Sequence, residues 1–139
     1  MRRPVGFVLL DRLRAVKENE RGSTSVQMVL LMPALFAVMF LGMQGALFYH
    51  ARTVALAAAQ EGVRTAAGLD GTGAAGSQDA YAFVDAAGGD DVLIGARVIA
   101  SRSATNATVT VSGRSLSVVP GWRPTVTQSA SAPVERITQ

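Results

Sequence analysis

The sequence predicts an α+β chain: a long N-terminal membrane-spanning helix that runs on into a small extracytoplasmic head with a short helix and an antiparallel sheet. Three observations predict it. Val26 to Tyr49 is an apolar run without a formal charge. Ala51 to Ala67 continues in an alanine-rich, helix-favouring composition whose only weak point is Gly62. Beyond Val92 the apolar residues change from a helical to an alternating period.

The first segment, residues 1–22, is a basic leader. Arg2, Arg3, Arg12, Arg14, Lys17 and Arg21 stand against Asp11, Glu18 and Glu20. Its weak helical pattern (Val8, Leu9, Leu13, Val16) reads equally as a short amphipathic helix at the inner leaflet or as an irregular leader. Gly22 to Ser25 are small and polar, and Ser23 or Thr24 is a candidate N-cap for a helix starting there.

Residues 23–67 are the spanning and projecting helix. About 24 uncharged, mostly apolar residues at ~1.5 Å each cover roughly 36 Å, enough to cross a bilayer. Pro33 within it removes one backbone hydrogen bond and reads as a kink, which membrane helices accommodate. Gly42 and Ala46 form a small-xxx-small pair with Gly45 beside it, so another helix can approach closely there; glycine is also simply common in membrane helices. Gln44 is the polar residue deep in the run, and an amide in lipid seeks a partner. Gln27, Gly42, Gln44, Gly45 and Ala46 are therefore the candidate helix–helix contact residues, the last four expected near one sector of the helix. Tyr49 and His50 mark the outer interface, where amphipathic rings are favoured.

Residues 68–76 are glycine-rich and read as a linker, and residues 77–139 as the head. Ser77 to Ala87 predicts a short helix with Ser77 as its cap and Tyr81, Val84 and Phe83 toward the core. Gly88-Gly89-Asp90-Asp91 ends it. Val92 to Arg102 and Ala107 to Ser112 predict two strands joined around Ala104-Thr105-Asn106, with Ala107, Val109 and Val111 on one face. A third, weaker strand is expected from Thr125 to Ser131, after the broken segment Val119-Pro120-Gly121-Trp122-Arg123-Pro124.

Charge gives the orientation. The net charge of +3 comes from the leader, whereas the acidic and basic residues after Gly68 nearly balance. Basic residues flank the cytoplasmic end of a span, so residues 1–25 are expected inside and 50–139 outside, with Arg52 weakening the asymmetry slightly. A juxtamembrane cluster is not a nucleic-acid surface, and no nucleic-acid partner is expected. The chain has no cysteine, which excludes disulfides, thiolate metal sites and thiol catalysis. A head of ~70 residues has a core that is only marginally stabilising by itself.

The chemical motifs are weak. Gly71-Thr72-Gly73-Ala74-Ala75-Gly76 matches GxGxxG, but a helix precedes it where dinucleotide binding needs a strand and a βαβ unit, so it reads as a linker. Asp90-Asp91 lacks the surrounding ligands of a calcium loop and reads as a solvated turn. Asn106-Ala107-Thr108 forms a sequon that a turn asparagine explains equally. With one histidine and no nucleophile–base arrangement, the chain reads as non-enzymatic and without cofactor or metal. Ala55-Leu56-Ala57 and Ala57-Ala58-Ala59 resemble signal-peptidase sites, and an exported soluble protein released there is the alternative. The apolar run is too long for a secretory signal of ~7–15 residues. A single-pass accessory protein of no further specified role is the other alternative.

Taken in order, Arg21-Gly22, Ser23 to Ser25, Val26-Gln27, Pro33, Tyr49-His50-Ala51-Arg52 and Ala57-Ala58-Ala59-Gln60-Glu61-Gly62-Val63-Arg64 resemble a TadE-like protein of the tight-adherence (Tad/Flp) pilus assembly system, in its actinobacterial form. Val118-Val119-Pro120-Gly121 and Pro133-Val134-Glu135-Arg136 extend the resemblance. It implies a pilin-like fold and a minor-pilin (pseudopilin) role. The implied partners are other pilin-like and Tad assembly subunits, membrane lipid and a prepilin peptidase, which would cleave between Gly22 and Ser23. Prepilin-like members carry a glutamate where this chain has Gln27; an amide can hydrogen-bond to the new amine of Ser23 but cannot neutralise it.

Overall fold

The computed structural model describes residues 5–135. In chain order they form helix α1 (Val5–Ala67), helix α2 (Gly73–Ala86), a 3-10 turn (Gly89–Asp91) and strands β1 (Leu93–Arg102), β2 (Asn106–Ser115) and β3 (Thr125–Pro133). This is the predicted α+β class. The chain divides into two compact units, one ending at Met39 and one beginning at Phe40, and α1 contributes to both. Helical backbone already runs from Val5 through the leader, so neither Ser23 nor Thr24 is an N-cap, and α1 continues through Pro33.

In the first unit the side chains from Ser25 to Met39 are exposed all round. In the second unit α1 becomes one-sided. Ala51, Val54, Ala55, Ala58, Ala59, Gly62, Val63, Ala66 and Ala67 are buried, repeating at three and four residues. That spacing lines one face of a helix. Arg52, Thr53, Gln60 and Arg64 lie on the exposed side.

The buried stripe shares its core with one face of the sheet. The strand order is β1-β2-β3, antiparallel throughout. Ala107, Val109 and Val111 of β2 are fully buried with Leu93 and Val126, and Val98, Ala100, Ala130 and Ala132 pack around them. Each fully buried valine or leucine contributes ~1.5–3 kcal/mol relative to exposure. Side chains alternate across a strand, so the neighbours of these residues form the outer face. There the hydroxyls of Thr108 and Ser131 pair at 2.9 Å, and those of Thr110 and Ser129 at 3.0 Å. The face division expected for β2 is the one observed, although β2 and β3 run further than the sequence suggested.

Helix α2 starts four residues earlier than its sequence pattern implied. Its N-cap is Thr72, whose Oγ1 accepts from the Ala75 amide at 3.0 Å; Ser77 is already inside the helix. The glycine-rich run is therefore only partly a linker. Its last part forms the first turn of α2, and the reason is packing against α1. A Cβ on Gly62 would lie 2.5 Å from the Gly76 carbonyl oxygen and 2.9 Å from Ala80 Cβ. A Cβ on Gly76 would overlap the Gly62 carbonyl oxygen and approach Ala66 Cβ to 2.7 Å. The two glycines let the backbones of α1 and α2 touch. Thr65 Oγ1 donates to Asp79 Oδ2 at 2.5 Å beside this crossing.

The same contact corrects the expected inner face of α2. Gly76, Ala80 and Val84 are buried, whereas Tyr81 and Phe83 are 40% and 36% exposed. With Gly76 at the crossing, the helical period carries Ala80 and Val84 inward and turns Tyr81 aside. Tyr81 Oη accepts from the Val98 amide at 3.1 Å, covering part of the free edge of β1.

Two charged residues from the head have structural tasks. Arg102 donates through Nη1 to the carbonyls of Ala66 and Gly68, and through Nη2 to that of Leu69 at 3.4 Å. The last carbonyls of a helix lack intrahelical partners and carry partial negative charge, so a guanidinium there satisfies both needs. Asp90 Oδ1 accepts from the Gly95 amide at 2.9 Å, where β1 shifts register between Ile94 and Arg97 and Gly95 takes a φ of +62°.

The glycine crossing can be tested in the full chain in detergent by thermal unfolding followed by circular dichroism. Gly62→Ala and Gly76→Ala are each expected to destabilise by ~1–3 kcal/mol through overpacking. Gly42→Ala, where an added Cβ meets nothing within 4 Å, is expected to be neutral or to stabilise by up to ~1 kcal/mol. Unchanged stability of both crossing variants would mean that the helices do not meet at these glycines.

Candidate functional site

The candidate site is a stretch of α1, because here the side chains are exposed and apolar. Every residue from Ser25 to Met43 is exposed, including Val26, Met28, Val29, Leu30, Leu31, Leu35, Phe36, Val38, Phe40 and Leu41. The helix is long and apolar enough to be a candidate membrane span. A helix apolar on all sides is stable in a large protein core or in lipid. Gln27 is exposed within this stretch. The Gly22–Ser23 bond lies within the helical backbone of α1.

At Gln44 the surroundings change abruptly. Gln44 is 1% exposed. Its Oε1 accepts from the Val118 amide at 3.0 Å and faces Ser117 Oγ at 3.0 Å, while its Nε2 donates to the Leu116 carbonyl at 3.2 Å. An N–H opposite one end and a carbonyl opposite the other determine which way the amide points. Ser117 has one proton to offer and a second acceptor, the Val119 carbonyl oxygen at 2.8 Å; its oxygen in turn receives the Val119 amide at 3.2 Å. Gln44 thus holds the β2–β3 connection against α1.

This corrects the expectation that Gln44 seeks its partner on another subunit's helix. Its donor and acceptor atoms are engaged within its own chain. Nor does it share a sector with the small residues. At about 100° per residue, Gln44 points roughly 160° away from Gly42, while Ala46 lies about 40° from it. Gly42 and Ala46 are exposed, Gly45 is half-buried, and an added Cβ on either glycine meets nothing within 4 Å. The sector of Gly42, Gly45 and Ala46 is open, and Gln44 faces the head.

Tyr49 and His50 are exposed, and the Phe48 and Tyr49 rings meet edge to face with centroids 6.2 Å apart. Ala55, Ala58 and Ala59, within the signal-peptidase-like triplets, are fully buried in the core on the helical face against the sheet. Gly73 and Gly76 of the GxGxxG match are in the first turn of α2, with no strand before them. Among the described residues no three histidine, cysteine, aspartate or glutamate side chains come together as metal coordination would need.

Sequence reasoning missed the tasks of Gln44 and Arg102. Gln44 stands out in sequence as an anomaly in an apolar run, but nothing in the run points to residues 116–118 as its partners. Nothing local to Arg102 pointed to the end of α1.

A family model described as TadE-like protein matches residues 22–64. No curated protein and no solved structure matches the chain.

The Gln44 contact predicts a local effect. Gln44→Leu leaves the part-buried Val118 amide without its acceptor, and leaving such a donor unmet costs up to ~1–3 kcal/mol. Hydrogen exchange on the full chain should accelerate at Val118 while the β2 core amides of Val109 and Val111 remain protected. Unchanged exchange at Val118 would remove Gln44 as the clamp.

Proposed function

We propose that this chain is a TadE-like pilus assembly protein, anchored in the membrane by α1 and acting through helix packing and protein–protein contacts of a minor-pilin kind. One observation carries the reading: the family match, residues 22–64, coincides with the part of α1 that is first apolar all round and then buried on one face against the head. Residues 1–22 are the cytoplasmic leader in this reading and the sheet-bearing head is extracytoplasmic, an orientation supported by the basic residues before Val26. The open sector of Gly42, Gly45 and Ala46 is the contact for a neighbouring helix, with Gln27 nearer the cytoplasmic end. A soluble product released after Ala57 or Ala59 is disfavoured, because the cut would fall in a helix whose buried face belongs to the core.

Assembly is tested with Gly42→Leu and Ala46→Leu. Both fill the open sector with a side chain that leaves apolarity intact, so membrane fractionation should not change. Co-purification with pilus assembly components is expected to fall in each. Normal co-purification of both variants would reduce this sector to a lipid-facing surface.

Processing is tested by intact-mass measurement of the membrane-extracted protein. The expected mature chain begins at Ser23, after cleavage by prepilin peptidase at Gly22; because this bond lies in helical backbone, cleavage requires local opening of α1. A chain retaining the leader would assign it a lasting cytoplasmic role, and one beginning near Ala58 or Gln60 would favour the secreted alternative.

A further inference from the structure

We propose that the β2–β3 connection, Leu116 to Pro124, is a second membrane contact, seated in the lipid–water interface of the leaflet from which α1 emerges, with Trp122 inserted at headgroup level. The inference rests on the reading of α1 as a membrane-entering helix and adds a lipid-binding surface on the head.

Height along α1 is the first reason. Gln44 ties Leu116, Ser117 and Val118 directly to the helix. Gln44 lies five residues before Tyr49, about 7–8 Å along the axis. It also follows immediately on Phe40, Leu41 and Met43, whose side chains are exposed and apolar. A segment clamped at that level cannot stand a headgroup layer away from the surface those side chains enter. If the hydrocarbon core reached Tyr49, the connection would lie inside it, and its irregular backbone would lack partners there. If the core ends near Met43, Val26 to Met43 supplies about 27 Å of helix, close to a hydrocarbon thickness of ~30 Å. The connection then falls in the interface, where water and headgroups can satisfy its backbone.

Composition is the second reason. Leu116, Val118, Val119, Pro120, Gly121, Trp122, Arg123 and Pro124 include no acidic residue and hold the chain's one tryptophan. Trp122 is 49% exposed, unusual for the largest apolar side chain of a small domain. The turn is tight. Trp122 donates its amide to the Val119 carbonyl at 3.2 Å, Gly121 adopts a φ of +79°, and Ser115 donates to the Pro124 carbonyl at 3.0 Å, closing the loop. An indole ring with one N–H suits the headgroup layer, and the exposed guanidinium of Arg123 beside it suits lipid phosphate. The opposite end of the sheet gives the contrast. There Ser103, Ala104, Thr105 and Asn106 form a polar turn, and neighbouring Arg102 bonds the carbonyls of Ala66 and Gly68 at the end of α1.

Because Trp122 is the single tryptophan, its emission reports the connection without a label. The full chain is reconstituted into phosphatidylcholine vesicles whose acyl chains are brominated either near the headgroup or near the bilayer centre, and flotation is scored on the same samples. The expected result is blue-shifted emission, largely lost with shallow bromine, little affected by deep bromine and little affected by aqueous iodide. In Gln44→Leu, flotation should persist while emission moves toward that of free tryptophan and the loss to shallow bromine shrinks; no change would overturn the clamp as the device that seats the loop. Flotation with emission quenched by iodide but not by bromine would overturn the loop contact and leave the anchor standing. Flotation with quenching by neither would overturn it in favour of a protein neighbour on Trp122. Failure to float would remove the anchor and the inference together.

Discussion

One helix has to satisfy two different surroundings, and the rest of the structure is arranged around that constraint. From Ser25 to Met43, α1 presents apolar side chains in every direction; from Ala51 to Ala67 it is apolar on one face and polar on the other. The first pattern suits a solvent that is apolar all round, the second a helix lying on a core with water behind it. The change happens within about two turns, and Gln44 stands at that junction.

The packing of the head follows from what the second pattern contains. Its buried residues are chiefly alanine, with two valines and one glycine. Small side chains bring the helix close to the sheet and to α2 but bury little area each, so the core is close-set rather than large. Polar clamps at the two ends of the contact complement it: Gln44 holds the β2–β3 connection near the start, and Arg102 holds the carbonyls of Ala66 and Gly68 where α1 ends. The Glu135 amide adds a third tie at the Ala67 carbonyl, 3.0 Å away. Hydrogen bonds of this kind contribute modestly when made, yet leaving their buried partners unmet is costly, so they fix which part of the sheet lies against which turn of the helix.

This arrangement separates two surfaces on the same stretch of helix. Gln44 points into the head, and Gly42 and Ala46 point away from it, so the side chain that joins helix to head does not compete with the sector open to a neighbour. The assembly role proposed above would draw on both: a helix sector left open, and a head tied to that helix by the chain's own bonds.

The amino-acid pattern already contains the apolar run, the helical continuation to Ala67, the α+β class and the inward face of β2, because each is written in a local period that a single element must obey. It also exposed Gln44 as an anomaly. What Gln44 is for emerges in the folded chain alone, since its partners lie 72 to 74 residues further along. The same holds for Arg102 at the end of α1 and for Gly62 against Gly76, where a glycine-rich run with the composition of a linker becomes helix because another backbone needs the space. Thr72 rather than Ser77 caps α2 for that reason, and Tyr81 turns from the core to the sheet edge with it. Local pattern sets which elements form; contacts between residues distant in sequence depend on how the faces meet, and no local period records that.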